Sequence, residues 1–184
     1  MRFRAFISVD IDASRSLRDL CDELRGSRAH LKVVNPDIMH ITLKFMGDIE
    51  EGGVPDVIDV MRSSAEGVAP FEFKIKGMGA FPSRNRIKVV WVGIPNPGHM
   101  VTIAERLDRG LSSIGFQREK RRFTPHLTVA RARFSKNVDV VQEIIERWEN
   151  HDFGSQQVNS IRLKKSVLAP KGPTYYIVEE IPLL

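Results

Sequence analysis

Apolar and polar residues alternate along several stretches of the chain, which is the pattern of strands with one buried face. The first stretch runs from Phe3 to Val9, and Phe6 is its one apolar residue on the polar face. Other stretches repeat apolar residues every three to four positions, which predicts amphipathic helices. The apolar stripes of these helices begin at Leu17, Val54, Met100 and Val141. The chain is therefore predicted to mix strands and helices along its whole length.

Glycine and proline residues divide the predicted elements. A strand that contains His40 is predicted to end at Gly47-Asp48. The segment from Gly77 to Arg84 is predicted to be a turn region and the boundary between two lobes. Ile87 to Ile94 is nearly continuous in Val and Trp residues, which predicts a strand that is buried on both faces.

The last third of the chain combines a basic loop with two closing strands. Gln117 to Arg122 is polar and basic, and we predict a loop there. Val158 to Leu168 and Tyr175 to Ile181 have the composition of strands. A turn at Pro170-Lys171-Gly172-Pro173 is predicted to join these two strands.

A tripeptide of histidine, an aliphatic residue and threonine occurs twice, as His40-Ile41-Thr42 and as His126-Leu127-Thr128. Each copy lies in an apolar run that predicts a strand. Successive side chains of a strand point to opposite faces, so the aliphatic residue enters a core. The His and the Thr then stand together on the other face, roughly 6.5 Å apart. That spacing suits two groups that hold one small anion.

The two motifs indicate an internal repeat. The second histidine follows the first by 86 positions, and the elements around both motifs have the same order of strand, helix, motif strand, helix and strand. We therefore predict a single bilobal domain over 1–184 with a two-fold repeat, approximately 1–80 and 81–184. Such a repeat would bring the two motif strands across a shared cleft.

Length, charge and cysteine content narrow the class of protein. A chain of 184 residues with 42% hydrophobic residues forms one domain or two small lobes. Its net charge of +5 favours a polyanionic partner. The single cysteine, Cys21, excludes an intramolecular disulfide and is predicted to be a core residue. We recognise no signal peptide and no apolar run near the ~20 residues of a transmembrane helix, so we expect a cytoplasmic protein without a membrane partner.

Two imidazoles that face each other can supply a general base and a general acid, because the pKa of histidine lies near neutrality. Threonine hydroxyls donate and accept hydrogen bonds, so Thr42 and Thr128 can hold phosphate oxygens. This set fits in-line attack of water on a phosphodiester, and a 2′,3′-cyclic phosphate is a natural substrate because its leaving hydroxyl stays tethered. Zinc commonly needs three or four ligands. His30, His99 and His151 lie in loop or helix-edge contexts, so we expect no metal and no other cofactor.

The segments around both motifs resemble a known superfamily. His40 to Asp48 and Phe123 to Arg131 resemble the two signature motifs of the 2H phosphoesterases, and within them those of the RNA 2′,3′-cyclic phosphodiesterases, also called 2′-5′ RNA ligases. The segments Phe6 to Asp10, Gly79 to Trp91 and Gly172 to Tyr175 are also similar, so the resemblance spans essentially the whole chain. It implies an α+β fold of two pseudo-two-fold-related lobes, each an antiparallel sheet with helices packed outside, around a central cleft.

The resemblance also implies the reaction and its main residues. His40 would donate a proton to the leaving 3′ oxygen, and His126 would be the base that activates water. Thr42 and Thr128 would bind the phosphate, and the product would be a 2′-phosphomonoester. The implied substrate is RNA with a 2′,3′-cyclic phosphate terminus, tRNA fragments among them, and the expected state is a monomer.

Phe6, Arg131 and Tyr175 are implied as substrate contacts, with Phe6 and Arg131 on either side of a nucleobase. Arg131 has the opposite strand parity to His126, so it faces the cleft only if the strand bulges or ends near Ala130. The alternative for Phe6 is packing under a helix, and adjacent Tyr176 is the alternative to Tyr175. The segment 118–122 and Lys164-Lys165 either hold RNA phosphates or form solvated faces.

Two other functions stay open. One is 2′-5′ RNA ligation in the same site, which is the same chemistry run backwards with an RNA 5′-hydroxyl in place of water. The other is a basic RNA-binding module whose histidines only contact phosphate. A bell-shaped pH–rate profile that survives EDTA distinguishes an acid–base enzyme from a binding module, which shows no turnover.

Overall fold

Strands and helices alternate along the chain, as the hydrophobic pattern predicts. The computed structural model describes residues 1–133, 138–170 and 172–184. Within these ranges the strands are β1 (Arg2–Asp10), β2 (Leu31–Val33), β3 (His40–Glu50), β4 (Phe71–Lys76), β5 (Met78–Ser83), β6 (Arg86–Gly93), β7 (His126–Ala132), β8 (Asp152–Val158), β9 (Ser160–Ala169) and β10 (Gly172–Pro182). The helices are α1 (Arg15–Gly26), α2 (Val54–Ala65), α3 (Met100–Ser113) and α4 (Val138–Trp148).

Two four-stranded antiparallel sheets form the two lobes. The first sheet has the strand order β10-β9-β1-β3, and α2 and α3 pack against it. The second sheet has the order β2-β7-β6-β5, and α1 and α4 pack against it. Strands β4 and β8 form a separate antiparallel pair. The predicted α+β class, with antiparallel sheets and outer helices around a central cleft, is confirmed.

Each sheet combines strands from both halves of the chain. β1 and β3 in the first sheet come from the first half, whereas β9 and β10 come from the second. The order β9-β1-β3 in the first sheet corresponds to β5-β6-β7 in the second, as a two-fold repeat would require. The helices cross over as well, since α1 packs on β7 and α3 packs on β3. The division of the chain near residue 80 stays a prediction.

The apolar stripe of α1 shows how the sequence builds the core. Ser14 caps this helix, because its Oγ accepts a hydrogen bond from the backbone N–H of Leu17 at 3.3 Å. The four stripe residues Leu17, Leu20, Cys21 and Leu24 are fully buried. Cys21 is thus a core residue, as predicted, and burial raises the pKa of its thiol to about 11.

The first motif strand is longer than predicted. β3 does not end at Gly47-Asp48 but continues to Glu50, pairing with β1 throughout. Gly47 has a φ of +71°, which glycine adopts without strain, and the register between β3 and β1 shifts at this point. The glycine therefore marks a bulge inside the strand and not its end.

The predicted turn region from Gly77 to Arg84 is instead mostly strand β5, which pairs with β6. Gly79 is required in β5, because a Cβ at this position would lie 2.3 Å from the Trp91 indole. The prediction that both faces of β6 are buried is also wrong. Val90 and Val92 are buried, whereas the alternate residues such as Trp91 remain half-buried towards the cleft side.

The prediction for the carboxyl-terminal strands missed one element. Val158 ends a strand of its own, β8, which pairs with β4, and β9 begins at Ser160. β8 was missed because the polar run Ser155-Gln156-Gln157 does not show the alternating pattern of a strand. Phe153 and Val158 supply its buried side chains. Of the predicted turn at Pro170-Lys171-Gly172-Pro173, Lys171 lies outside the described residues, and β10 begins at Gly172.

Candidate active site

Strands β3 and β7 bring both His-x-Thr motifs to one cleft between the two sheets. His40, Thr42, His126 and Thr128 all line this cleft, which has a volume of about 1040 Å³. Ile41 and Leu127 are buried on the opposite face, as strand alternation requires. The geometric prediction that folding would place the four motif side chains on one cavity therefore agrees with the structure.

The two histidine rings are anchored in the same way. His40 Nδ1–H donates to the backbone carbonyl of Ile38 at 3.0 Å, and His126 Nδ1–H donates to that of Thr124 at 3.0 Å. A carbonyl oxygen only accepts, so each Nδ1 carries the hydrogen and the Nε2 of the neutral ring is left without one. Each ring thus has its Nε2 available to accept or return a proton.

His40 stands in an aromatic corner of the first sheet. Its ring centroid lies 4.8 Å from that of Phe6 and 5.0 Å from that of Tyr175. Burial lowers the pKa of His40, and the charge of Lys164 adds to this effect against the opposing influences of the Ile38 carbonyl and Asp10. The protein surroundings of His40 therefore favour the neutral imidazole.

His126 has a different neighbour on the second sheet. The ring of Phe81 meets it edge to face at 5.3 Å, and Phe81 in turn packs against Trp91 at 5.3 Å. Phe81 is not among the predicted site residues, because its segment has the composition of a turn. The alternation that places Phe81 beside the histidine becomes visible only once β5 is paired with β6.

Both motif strands carry a bulge directly after the threonine. Leu43 and Lys44 are both buried, and so are Val129 and Ala130. The register shifts at these points, in the pairing of β3 with β1 and of β7 with β6. The extra residue reverses the strand parity, so Phe45 and Arg131 lie on the cleft side. The bulge that Arg131 needs in order to face the cleft is therefore present.

Phe6 and Tyr175 lie together in the cleft but differ in exposure. Phe6 is only 4% exposed, with the rings of His40 and Tyr175 against it, so it supports the site from beneath. Tyr175 is half-buried and lines the cleft, and burial raises the pKa of its hydroxyl. Neighbouring Tyr176 is 56% exposed and is not part of the cleft lining.

Lys44 holds the basic loop beside the cleft. Its side chain is 2% exposed, and Nζ lies 2.7 Å from Asp108 Oδ1 on α3 and 2.8 Å from the backbone carbonyl of Gln117. Glu119 in the loop lies 3.5 Å from the same ammonium. The loop then presents its basic side chains to the cleft, namely Arg118, Lys120, Arg121 and Arg122. No sequence pattern indicates that a lysine in an apolar run is the buried anchor of this loop.

The pair Lys164-Lys165 does not contribute to the cleft lining. Lys164 is 5% exposed and forms an ion pair with Asp10, which also binds Arg162 at 2.6 Å. Burial acts to raise the pKa of Asp10, but its hydrogen bonds with the two cations outweigh burial and lower the pKa. Lys165 lies on the other face of the sheet, 5.3 Å over the ring of Phe3. Lys164 is therefore held by Asp10 beneath the site, and Lys165 is half-buried on the opposite face.

Metal-binding groups and membrane-spanning helices are both absent from residues 1–133, 138–170 and 172–184. In these ranges no group of three His, Cys, Asp or Glu side chains is arranged to hold a metal ion. The same ranges contain no helix with the length and apolar character to cross a bilayer.

Comparison with known proteins gives consistent matches over nearly the whole chain. A family model described as LigT like Phosphoesterase matches twice, at residues 7–91 and 92–175. The chain is 39% identical to an RNA 2′,3′-cyclic phosphodiesterase of Methanothermobacter thermautotrophicus, covering 97% of this chain and 98% of the relative.

Solved structures with the same architecture extend this result. The structure superposes on TT0787 of Thermus thermophilus with a TM-score of 0.82 at 26% identity, covering 98% of this chain and 97% of that one. It also matches LigT of E. coli in complex with 3′-AMP, with a TM-score of 0.78 at 20% identity over 100% of this chain and 99% of that one. The second match shows a likeness of fold.

Proposed function

Since the chain belongs to the LigT-like phosphoesterase family, we propose that it hydrolyses the 2′,3′-cyclic phosphate ends of RNA to 2′-phosphomonoesters. The proposed reaction uses two histidines as general acid and general base and needs no metal ion. One observation carries the proposal: both histidines of the cleft bind a backbone carbonyl through Nδ1, which leaves Nε2 of each ring for proton transfer.

The proposed reaction is a single in-line displacement at phosphorus. His126 Nε2 takes a proton from water, and the water oxygen attacks phosphorus opposite the 3′ oxygen. The bond between phosphorus and the 3′ oxygen breaks, and His40 Nε2 gives its proton to that oxygen. Each such proton transfer contributes typically 10²–10⁴-fold in rate. Thr42 and Thr128 would donate their hydroxyl hydrogens to the non-bridging oxygens.

The acid role of His40 requires its ring to be protonated before the reaction. Burial lowers the pKa of His40 and so acts against this role. A bound phosphodiester carries a negative charge close to the ring, and an opposite charge within ~4–6 Å favours the charged form of imidazole. Substrate binding would therefore supply the proton affinity that the protein surroundings alone do not give.

Recognition of the terminal nucleotide involves the mouth of the same cleft. Arg131 and Tyr175 both line it, and a guanidinium plane and an aromatic ring are suited to an unpaired base. Phe6 would act indirectly, by supporting the rings of Tyr175 and His40. We further propose that tRNA fragments are among the substrates and that the protein acts as a cytoplasmic monomer. The net charge of +5 supports an RNA partner.

The test is incubation with an RNA that ends in a 2′,3′-cyclic phosphate, with and without EDTA, followed by identification of the hydroxyl that keeps the phosphate. We expect a 2′-phosphate, a bell-shaped pH–rate profile and no effect of EDTA. His40→Ala and His126→Ala should each lower kcat by about 10²–10⁴-fold with the fold intact. His99→Ala is the matched control, because His99 is exposed and lies outside the cleft.

Each failure of this test has a distinct meaning. Near-full hydrolysis by either cleft variant would refute the acid–base assignment, and loss of turnover with EDTA would refute metal independence. Binding without any turnover would favour the RNA-binding module instead. Joining of the cyclic phosphate end to an added RNA 5′-hydroxyl would identify the ligase reaction in the same site.

A further inference from the structure

A second cavity opens beside the central cleft. It has a volume of about 560 Å³ and lies between the bulged part of β3 and the basic loop. We call it the Phe45 pocket, after the residue at its border with the cleft; its other lining residues are Met46, Gly47 and 116–121. Phe45 and residues 118–121 line both cavities, so the two spaces adjoin each other. None of the roles proposed above for the cleft residues involves this pocket.

Phe45 supplies an exposed aromatic surface at this border. Its side chain is 46% exposed, although it stands in the middle of a strand, because the bulge at Leu43-Lys44 turns it away from the core. The guanidinium carbon of Arg4 lies 4.8 Å from the centroid of its ring. An aromatic ring with an arginine stacked on it is a surface on which an unpaired base can stack.

Positive charge lines the opposite wall of the pocket. Arg118, Lys120 and Arg121 are exposed there, and the buried Lys44 fixes the position of their loop. The one acidic side chain of this wall, Glu119, is held by the same lysine at 3.5 Å. Exposed aromatic rings next to fixed cations are the usual combination in sites for single-stranded nucleic acid.

The chemistry of the substrate determines what can reach this pocket. An RNA whose 3′ end is a cyclic phosphate continues from the terminal nucleotide in one direction only, towards its 5′ side. Phe45 follows the phosphate-binding Thr42 by three residues, and because of the bulge these span only two residues of β1, or roughly 6.5 Å along the sheet. The terminal nucleotide is already assigned to Arg131 and Tyr175, so the nucleotide before it is the part of the substrate left to reach the pocket.

We propose that the Phe45 pocket binds the nucleotide on the 5′ side of the cyclic phosphate terminus. Its base stacks on Phe45. The phosphate that links it to the terminal nucleotide lies beside Lys120 and Arg121. The proposal rests on the function proposed above, because it takes the terminal phosphate to lie between the two histidines. It makes the enzyme selective for oligonucleotides over cyclic mononucleotides.

Three substrates with the same terminal base test this inference. They are adenosine 2′,3′-cyclic monophosphate, the dinucleotide that ends in the same cyclic phosphate, and that dinucleotide with an abasic first position. We expect kcat/KM for the dinucleotide to exceed that for the mononucleotide by about tenfold, and the abasic substrate to lose most of this advantage. Phe45→Ala should remove most of the advantage, and Phe45→Tyr should retain it. Tyr176→Ala, at an exposed aromatic outside both cavities, should leave all three values unchanged.

The outcomes separate this inference from the proposed function. Equal kcat/KM for mononucleotide and dinucleotide in the wild type would overturn the inference, and so would an equal loss for both substrates in Phe45→Ala. Absence of turnover with every substrate would instead refute the proposed function. In that case titration with the same three compounds decides the inference: tighter binding of the dinucleotide that Phe45→Ala abolishes supports it, and equal dissociation constants overturn it.

Discussion

The buried ion pair of Lys44 gives the sharpest test of how the fold positions the site. We consider Lys44→Met, which keeps an unbranched apolar side chain but removes the ammonium. The change leaves the backbone carbonyl of Gln117 without its donor and removes the cation that faces Asp108 and Glu119. Asp108 keeps two other donors, Arg118 Nε at 3.2 Å and the backbone N–H of Glu119 at 2.9 Å.

The expected loss of stability follows from these contacts. Removing one partner of a buried ion pair costs about 3–5 kcal/mol when the other charge is left uncompensated. Because Asp108 keeps two donors, we expect the lower end, about 3 kcal/mol. For a chain of this size that corresponds to a decrease in melting temperature of about 6–12 °C. The basic loop should also lose its fixed position, so that KM for an oligonucleotide rises more than kcat falls.

Urea unfolding and steady-state kinetics on the same preparations measure both effects. Lys74→Met is the matched control, because Lys74 is an exposed lysine in β4, where a surface substitution usually changes stability by less than about 0.5 kcal/mol. Equal unfolding midpoints for the two variants would refute the reasoning. An unchanged KM for the oligonucleotide in Lys44→Met would show that the loop keeps its place without the anchor.

Two further predictions concern pH and salt. The ion pairs with Lys164 and Arg162 lower the pKa of Asp10. The stability that Asp10 contributes is therefore present above the pKa of the carboxyl in the unfolded chain, and it is lost as the pH falls through the lower pKa of the folded state. The difference in free energy of unfolding between wild type and Asp10→Asn should therefore shrink as the pH falls below about 4, the ordinary pKa of the carboxyl, and a constant difference would contradict this. Raising NaCl from about 50 to about 200 mM should increase KM more for an oligonucleotide than for a cyclic mononucleotide, since more basic side chains contact the longer substrate. Steady-state assays measure both KM values, and equal increases would contradict the proposed phosphate contacts.

Local periodicity was enough to predict most elements and the central residues of the site. The stripe of α1 and the alternation of β4 match the structure because they depend on which face each residue presents within its own element. The His-x-Thr tripeptide occurs twice, so residue type and spacing alone were enough to select His40 and His126. Resemblance added Arg131 and Tyr175, which both line the cleft.

The features that escaped the sequence all depend on a partner strand or helix. Gly79 looks like a turn residue until the Trp91 indole occupies the space above it. Lys44 looks like an exposed strand residue until α3 supplies Asp108. Phe6 looks like an open stacking surface until His40 and Tyr175 lie against it. In each case the neighbour is distant along the chain, and its identity cannot be deduced from local periodicity.

The sequence by itself therefore determined the repeated motif and the buried stripes, since these follow from residue type and spacing. Only the tertiary structure decided where the two motif strands bulge, and that choice turns Phe45 and Arg131 towards the cleft. The physical reason is that a bulge forms where two paired strands lose register with each other. Register belongs to a pair of strands, and these strands come from distant parts of the chain.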